Sequence, residues 1–276
     1  MVRQRRLAME LRRLREGAGL TCDEVAARME CSASKISRIE TGRVLVSPRD
    51  VRDLLEVYEL PADQRESLIQ LARDSRQKGW WHAYSDTSQP HLATYLGLEN
   101  DASEVRVYKV SRMHGLLQTE DYARAVFSAA RAGGEHSDTE RSVGLLMERQ
   151  RQANASPLRL WVVLDEAALR HQVGGRNVMR EQIEHLIDLS TRPGTFIQVM
   201  PYSSSLHLPT DVSFTIMGFP EPADPDVVCI GYPTGVLWIE DEPEVHRYNT
   251  LFHRLRAAAL SLNDSADLMT SVLKEL

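Results

Sequence analysis

Ser34, Lys35, Ser37 and Arg38 lie in the stretch SASKISRIETG at a spacing that puts hydroxyl, ammonium and guanidinium groups on one side of a helix and Ile36 and Ile39 on the other. A face of short polar residues with Lys and Arg suits the DNA major groove, where base edges and phosphates take hydrogen-bond donors. Ser32 is placed to cap this helix, and Gly42 to end it in the left-handed conformation that glycine adopts cheaply. Just upstream, Thr21 and Glu24 have the spacing of a capping box for a shorter helix whose apolar residues are Val25, Ala26 and Met29. Residues 21–42 therefore read as two short helices joined by a tight turn.

Other constellations carry less chemistry. Asp165 and Glu166 follow the apolar run 158–164 at the start of a helix, where carboxylates suit the positive end of the dipole. They also invite an acid/base reading, but neighbours on a helix diverge and no matching His, Lys or nucleophile motif accompanies them, so no enzyme is expected. His246 and His253 stand seven residues apart, too far for one ion without other ligands, and Arg247 and Arg254 beside them mark a solvated face; no metal is expected. Gly174-Gly175-Arg176 lacks the lysine of a phosphate loop and no G-x-G-x-x-G follows a strand, so no cofactor is expected. Cys22, Cys31 and Cys229 are odd in number and scattered, which fits neither a disulfide framework nor a zinc site.

The elements that must position the polar helix are short and well punctuated. Leu7, Leu11 and Leu14 recur at helical spacing before Gly17 and Gly19. Ser47-Pro48 places a cap and a first-turn proline ahead of Val51, Leu54, Leu55 and Tyr58, and Asp63 with Glu66 has capping-box spacing ahead of Leu68, Ile69 and Ala72. Residues 3–76 thus read as five helices around one small core. Residues 1–78 hold 16 Lys or Arg against 13 Asp or Glu, a net of +3, whereas residues 79–276 hold 17 against 26, a net of −9. Arg3, Arg5, Arg6, Arg12, Arg13 and Arg15 carry much of the basic excess and are candidates to track phosphates. An acidic body behind a basic head would be repelled by DNA except at the reading face.

The head is expected to end near Gln77-Lys78-Gly79, giving domains of 1–78 and 79–276; Trp80-Trp81 then packs a linker or offers a binding platform. In the body, 91–103, 120–131, 137–152, 165–171 and 176–190 read as helices. Residues 104–110, 158–164, 196–200, 212–217, 227–230 and 236–239 read as strands. Pro243 opens a long closing helix, and Asn263 or Ser265 caps a last one. This predicts a mixed α/β body with a modest central sheet behind an all-α head. No apolar run is long enough to span a bilayer, the N-terminus lacks the apolar core of a secretion signal, and a cytoplasmic location is expected.

From Leu14 to Gly42, and most specifically in SKISRIETG, the chain resembles the Cro/C1, or xenobiotic-response-element, type of helix-turn-helix. That resemblance implies that Ala33, Ser34, Lys35, Ser37 and Arg38 face bases or phosphates, that Cys22 opens the first helix of the motif near the DNA backbone, and that Arg43 lies beside a phosphate. With Ser32 at the cap, these form the expected DNA-facing set. It implies, too, a bridge between Arg15 and Glu40. Cys22 and Ala33 stand where glutamines are frequent in the family, which leaves the base sequence read undefined.

The body resembles the companion domain of actinomycete regulators of the WhiJ-like and antitoxin-like group, in Gly115-Leu-Leu-Gln-Thr119, Asp121-Tyr-Ala-Arg124, Leu164-Asp-Glu-Ala-Ala-Leu169, Gly174-Gly175 and Gln198-Val-Met-Pro201. The group's usual proline before the glycine is His114 here. The resemblance implies a transcription regulator of a kind often encoded beside a small partner protein; because one head gives limited contact area, a homodimer on double-stranded DNA is expected, its body docking a partner protein or sensing a small molecule. An antitoxin-like protein that mainly sequesters its partner, and an enzyme fused to a DNA-binding head, are the alternatives.

Overall fold

The computed structural model describes residues 2–76, 80, 90–130, 136–204, 212–221, 224–232 and 235–276. The expected junction at 77–79, Trp81 and residues 85–89 of the SDTSQP stretch lie outside the described residues. Contacts divide the chain into two units, Met1–Asp101 and Ala102–Leu276, where the sequence alone suggested a change after residue 78.

The first unit opens with α1 (Val2–Gly17), α2 (Cys22–Arg28), α3 (Ala33–Glu40), α4 (Pro48–Val57) and α5 (Ala62–Ser75), followed by α6 (Pro90–Asp101). Leu7, Leu11, Val25, Ile36, Val51, Leu54, Leu55, Ile69 and Ala72 share one buried core across the first five helices. Each of the first four helices ends in the same hydrogen-bonded way. Leu20, Cys31, Arg43 and Leu60 donate backbone N–H groups to the carbonyls of Arg15, Ala26, Arg38 and Leu55, five residues back. The residue before each donor, Gly19, Glu30, Gly42 or Glu59, is left-handed at φ +72, +49, +66 and +57. Two of these positions are glutamates, which the sequence does not advertise as helix stops.

Thr21, Ser32 and Ser47 cap α2, α3 and α4 as expected, each side chain accepting from the N–H three residues on. Asp63 does not cap α5. Pro61, with φ −55 and ψ 145, takes the cap conformation, so the helix starts one residue later at Ala62 and Asp63 lies inside it.

The second unit is built on a six-stranded mixed sheet of β1 (Glu104–Lys109), β2 (Arg159–Asp165), β3 (Thr195–Met200), β4 (Phe214–Gly218), β5 (Val227–Tyr232) and β6 (Gly235–Ile239), in the order β3-β2-β1-β4-β5-β6. β1, β2 and β3 run parallel through crossovers containing α7 (Glu120–Ala130), α8 (His136–Ala155), α9 (Glu166–Arg170) and α10 (Arg176–Ser190); β4, β5 and β6 are antiparallel. The period-two pattern sorts the faces. Tyr108, Val163, Phe214, Ile216 and Val228 pack with Val245, Phe252 and Leu255 of α11 (Glu242–Ala258). Val107, Val162, Leu164, Ile197 and Met217 are fully buried on the opposite face.

The closing helix α12 (Leu262–Glu275) is capped by Ser261, not by Asn263 or Ser265. Ser265 is buried instead, its Oγ accepting the Val199 N–H at 2.9 Å and so fastening α12 to β3.

Three of the body motifs make packing and capping contacts. Gly115 has an ordinary φ, and a Cβ there would lie 2.7 Å from Arg149 Nη1 and 3.0 Å from Leu146 Cδ1, so a larger residue would have to displace those side-chain ends. The turn it opens is held by glutamines from two helices. Gln150 Nε2 donates to the Gly115 and Gln118 carbonyls, each at 2.7 Å. Gln182, fully buried, donates to the Leu117 carbonyl and accepts the Thr119 N–H. Thr119, not Asp121, caps α7, its hydroxyl accepting the Tyr122 N–H, while Asp121 pairs with Arg124. Asp165 caps α9, and buried Glu166 has both oxygens engaged, one by Arg170 and one by the Tyr202 N–H.

Candidate nucleic-acid interface

α2 and α3 are joined by a four-residue turn, Met29 to Ser32, whose tightness comes from left-handed Glu30 and the Cys31-to-Ala26 bond. On α3, Ile36 and Ile39 are buried while Ser34, Ser37 and Arg38 are exposed; Ser32 at the cap is exposed as well. Arg43 follows the left-handed Gly42 and is exposed, and Gln4 of α1 donates to the Gly42 carbonyl at 2.8 Å, fixing the end of α3. Arg38, Arg43, Arg49 and Arg52 are exposed and enter no ion pair among the described residues. These guanidinium groups are unengaged on α3, just after it, and on the first turns of α4.

Three members of the expected DNA-facing set are placed differently from free surface groups. Lys35 reaches from α3 to α4, its Nζ 3.0 Å from Asp50 Oδ1, and is half-buried. Against the cost of burial, hydrogen bonds from Ser47 and Lys35 hold the Asp50 carboxyl below the usual carboxylate range, so the pair is charged. Cys22 and Ala33 are half-buried first residues of their helices and pack against the head core. Small side chains there let the two helix starts sit close to the core.

The basic run of α1 is also largely spent internally. Arg12 pairs with Glu16 and Arg13 with Glu10 along the helix surface, so these two are not idle phosphate trackers. Arg5 and Arg6 are engaged as well, and the side chain of Arg3 lies outside the described residues. Arg15 Nε donates to Glu40 Oε1 at 2.8 Å, and its Nη1 to the Leu20 carbonyl at 2.7 Å. With side chains 11% and 4% exposed, this pair sits where α1 meets the end of α3. Beside it, the Tyr58 hydroxyl is buried without a hydrogen-bond partner, and burial with the Glu40 charge pushes its pKa up. The supporting bonds from Gln4, Asp50 and Arg15 join residues 38, 15 and 25 positions apart, and the Lys35–Asp50 link has no local signal in the sequence.

Among the described residues no group of His, Cys, Asp and Glu is arranged to hold a metal ion; His246 and His253 are exposed on α11. No helix among the described residues is long and apolar enough to cross a membrane. No curated protein and no solved structure matches the chain. Residues 6–68 match the family described as a helix-turn-helix domain, so the head just described is a helix-turn-helix domain. Residues 92–271, more than half of the chain, match a second family, and the chain belongs to it: the Domain of unknown function (DUF5753).

Proposed function

We propose that this protein is a sequence-specific, DNA-binding transcription regulator that presents α3 to the major groove. The observation that carries the reading is the exposed row Ser34, Ser37 and Arg38 on a capped helix of a helix-turn-helix domain, continued by unpaired Arg43. Arg43, Arg49 and Arg52 are the phosphate-facing cations, and Arg38 the residue that reads a base edge.

One head offers limited contact area, so the working unit is a homodimer holding two heads about one helical turn of DNA apart. Linking two weak heads raises apparent affinity by a factor of about 10²–10⁴ without a new DNA contact. The body supplies the dimer contact and receives a partner protein or small molecule that changes how the heads are held, which would remove the gain in affinity without touching DNA. The protein acts in the cytoplasm and is not an enzyme. The engagement of both Glu166 oxygens supports a structural role for the one carboxylate pair that invited catalysis.

Sequencing of DNA fragments retained by the full chain from a random pool tests the proposal. Enrichment of one motif with two half-sites supports it, and an unenriched pool, or enrichment unchanged in Arg38→Ala, defeats it. Light scattering of the full chain at working concentration tests the dimer.

A further inference from the structure

We propose that Leu45, in the loop between α3 and α4, is an apolar DNA contact: its side chain lies against deoxyribose carbons of the strand whose phosphates Arg43, Arg49 and Arg52 hold. The inference rests on the DNA-binding reading above and adds to it a contact that carries no charge.

Among the described residues of the first unit, Met9 and Leu45 are the large apolar side chains left exposed, at 50% and 49%. Single exposed apolar residues are ordinary on a protein surface, so the surroundings of each one decide its meaning. Met9 stands on α1, where Arg12 and Arg13 are already paired with Glu16 and Glu10. Leu45 stands two residues after Arg43 and ahead of Arg49 and Arg52, all three exposed and without an ion pair among the described residues. A leucine framed by uncommitted guanidinium groups suits neither a purely apolar partner nor a purely anionic one. The sugar-phosphate backbone matches both halves, because its anionic oxygens alternate with the C–H faces of the sugars.

The loop presents this leucine instead of letting it collapse onto the head. Arg43 and Leu45 are exposed, whereas Val44 between them is half-buried and Val46 is part of the head core. Leu45 therefore stands on the same outer side of the loop as Arg43. Both ends of the loop are fastened. The Arg43 N–H donates to the Arg38 carbonyl at 2.9 Å, and Gln4 holds the Gly42 carbonyl. At the other end the Ser47 hydroxyl accepts the Asp50 N–H at 3.0 Å, and Pro48 fixes the first turn of α4. Asp50 in turn holds Lys35, so the two helices that flank the loop are tied directly. A side chain held in place before binding loses little freedom on binding, and a small apolar area then adds measurable affinity. Because such a contact releases no counterion, its share of the affinity is the same for every sequence and at every salt concentration.

The test titrates the full chain and its Leu45→Ala, Leu45→Met, Met9→Ala and Arg43→Ala variants with the selected DNA motif, its single-position variants and a scrambled duplex, at two salt concentrations. Leu45→Ala should bind about fivefold more weakly on every duplex, as expected for an apolar side chain that becomes partly buried on binding. Its log–log salt slope should be unchanged, whereas Arg43→Ala should reduce the slope by about one. Leu45→Met and Met9→Ala should bind as the native chain does, and the melting transition of Leu45→Ala should not move. Unchanged affinity in Leu45→Ala, or an equal loss in Met9→Ala, would overturn the contact. A slope reduced as in Arg43→Ala would also overturn it, since Leu45 would then act only by placing Arg43, and so would a loss confined to one base position, which would put Leu45 on a base. Arg38→Ala in the same titrations separates the two claims: relaxed discrimination there with an unaffected Leu45→Ala defeats this contact alone, and a native chain that retains no duplex defeats the DNA-binding reading as well.

Discussion

Lys35 of α3 is tied to Asp50 of α4, Nζ to Oδ1 at 3.0 Å, so a cation of α3 is committed to the head's own fold. Asp50 also accepts from the Ser47 hydroxyl at 2.6 Å, which fixes the carboxylate at the start of α4. The pair therefore holds α3 against α4 and neutralises one cation of α3.

Asp50→Asn should release Lys35 and strengthen DNA binding while steepening its salt dependence by up to about one unit in the log–log slope. Lys35→Ala should do the reverse. Affinities measured at two salt concentrations decide it, and identical slopes in all three proteins would show that Lys35 never reaches a phosphate.

Glu40→Ala should lower head stability by more than the roughly 1 kcal/mol ceiling of exposed pairs, toward the about 3–5 kcal/mol seen when one partner of a buried pair is removed. Arg15 would keep its bond to the Leu20 carbonyl but lose its only nearly buried counter-charge. Denaturant unfolding of the full chain followed through the head transition measures this; a loss under 1 kcal/mol means that solvent already screens the pair.

Tyr58→Phe should leave the head as stable as before or raise its stability by about 1 kcal/mol, because the change deletes a buried hydroxyl with no partner. A drop in the melting transition would reveal a bond to the hydroxyl that the geometry lacks.

Glu30→Gly and Glu59→Gly should each stabilise the head by about 0.5–1 kcal/mol, since left-handed backbone at φ +49 and +57 is strained for a side-chain-bearing residue and free for glycine. Gly42→Ala, the reverse change at φ +66, should destabilise it by about 1–2 kcal/mol. Thermal melts that rank these three variants in any other order contradict the assignment of the helix stops.

Burial, with Arg149 and Lys109 nearby, holds buried His114 well below its ordinary value of about 6.5, so it is neutral in the folded body. The unfolded chain binds this proton and the folded one does not. The stability from His114 is therefore complete above about pH 6.5 and is lost as pH falls below it, at up to about 1.4 kcal/mol per pH unit. His185, also lowered by burial, adds a share of the same sign, whereas the lowered carboxylates act only at more acid pH. Unfolding of the body between pH 7 and 5 should flatten in His114→Asn, which keeps an acceptor for the Leu116 N–H; an unchanged slope would place the proton elsewhere.

The caps of α2, α3 and α4 were readable because each is a local pattern: Thr21 with Glu24, Ser32, and Ser47 before Pro48 act within three residues. Glu30 and Glu59 were not, because nothing in a glutamate announces left-handed backbone; tertiary packing imposes it. The Lys35–Asp50 link was not legible because its partners lie 15 residues apart, beyond any helical period. The start of α12 was misread because Ser261, Asn263 and Ser265 are all plausible caps, and only the fold reveals that Ser265 turns inward to β3. The strands were legible from short apolar runs, but their order was not, since β4 returns past two strands to pair with β1. Gln150 and Gln182, the glutamines that hold the turn after β1, join residues up to 65 positions apart and leave no periodic trace.

Arg38 tests the central claim most directly, being exposed, unpaired and on the polar face of α3, so its removal should leave the fold intact. Full-length protein and Arg38→Ala are titrated with a selected DNA motif and its single-position variants at two salt concentrations. The account predicts a loss of about 1–3 kcal/mol, with discrimination relaxed at one base position and the salt slope nearly unchanged. Equal affinity and equal discrimination in the two proteins would mean that α3 does not read DNA.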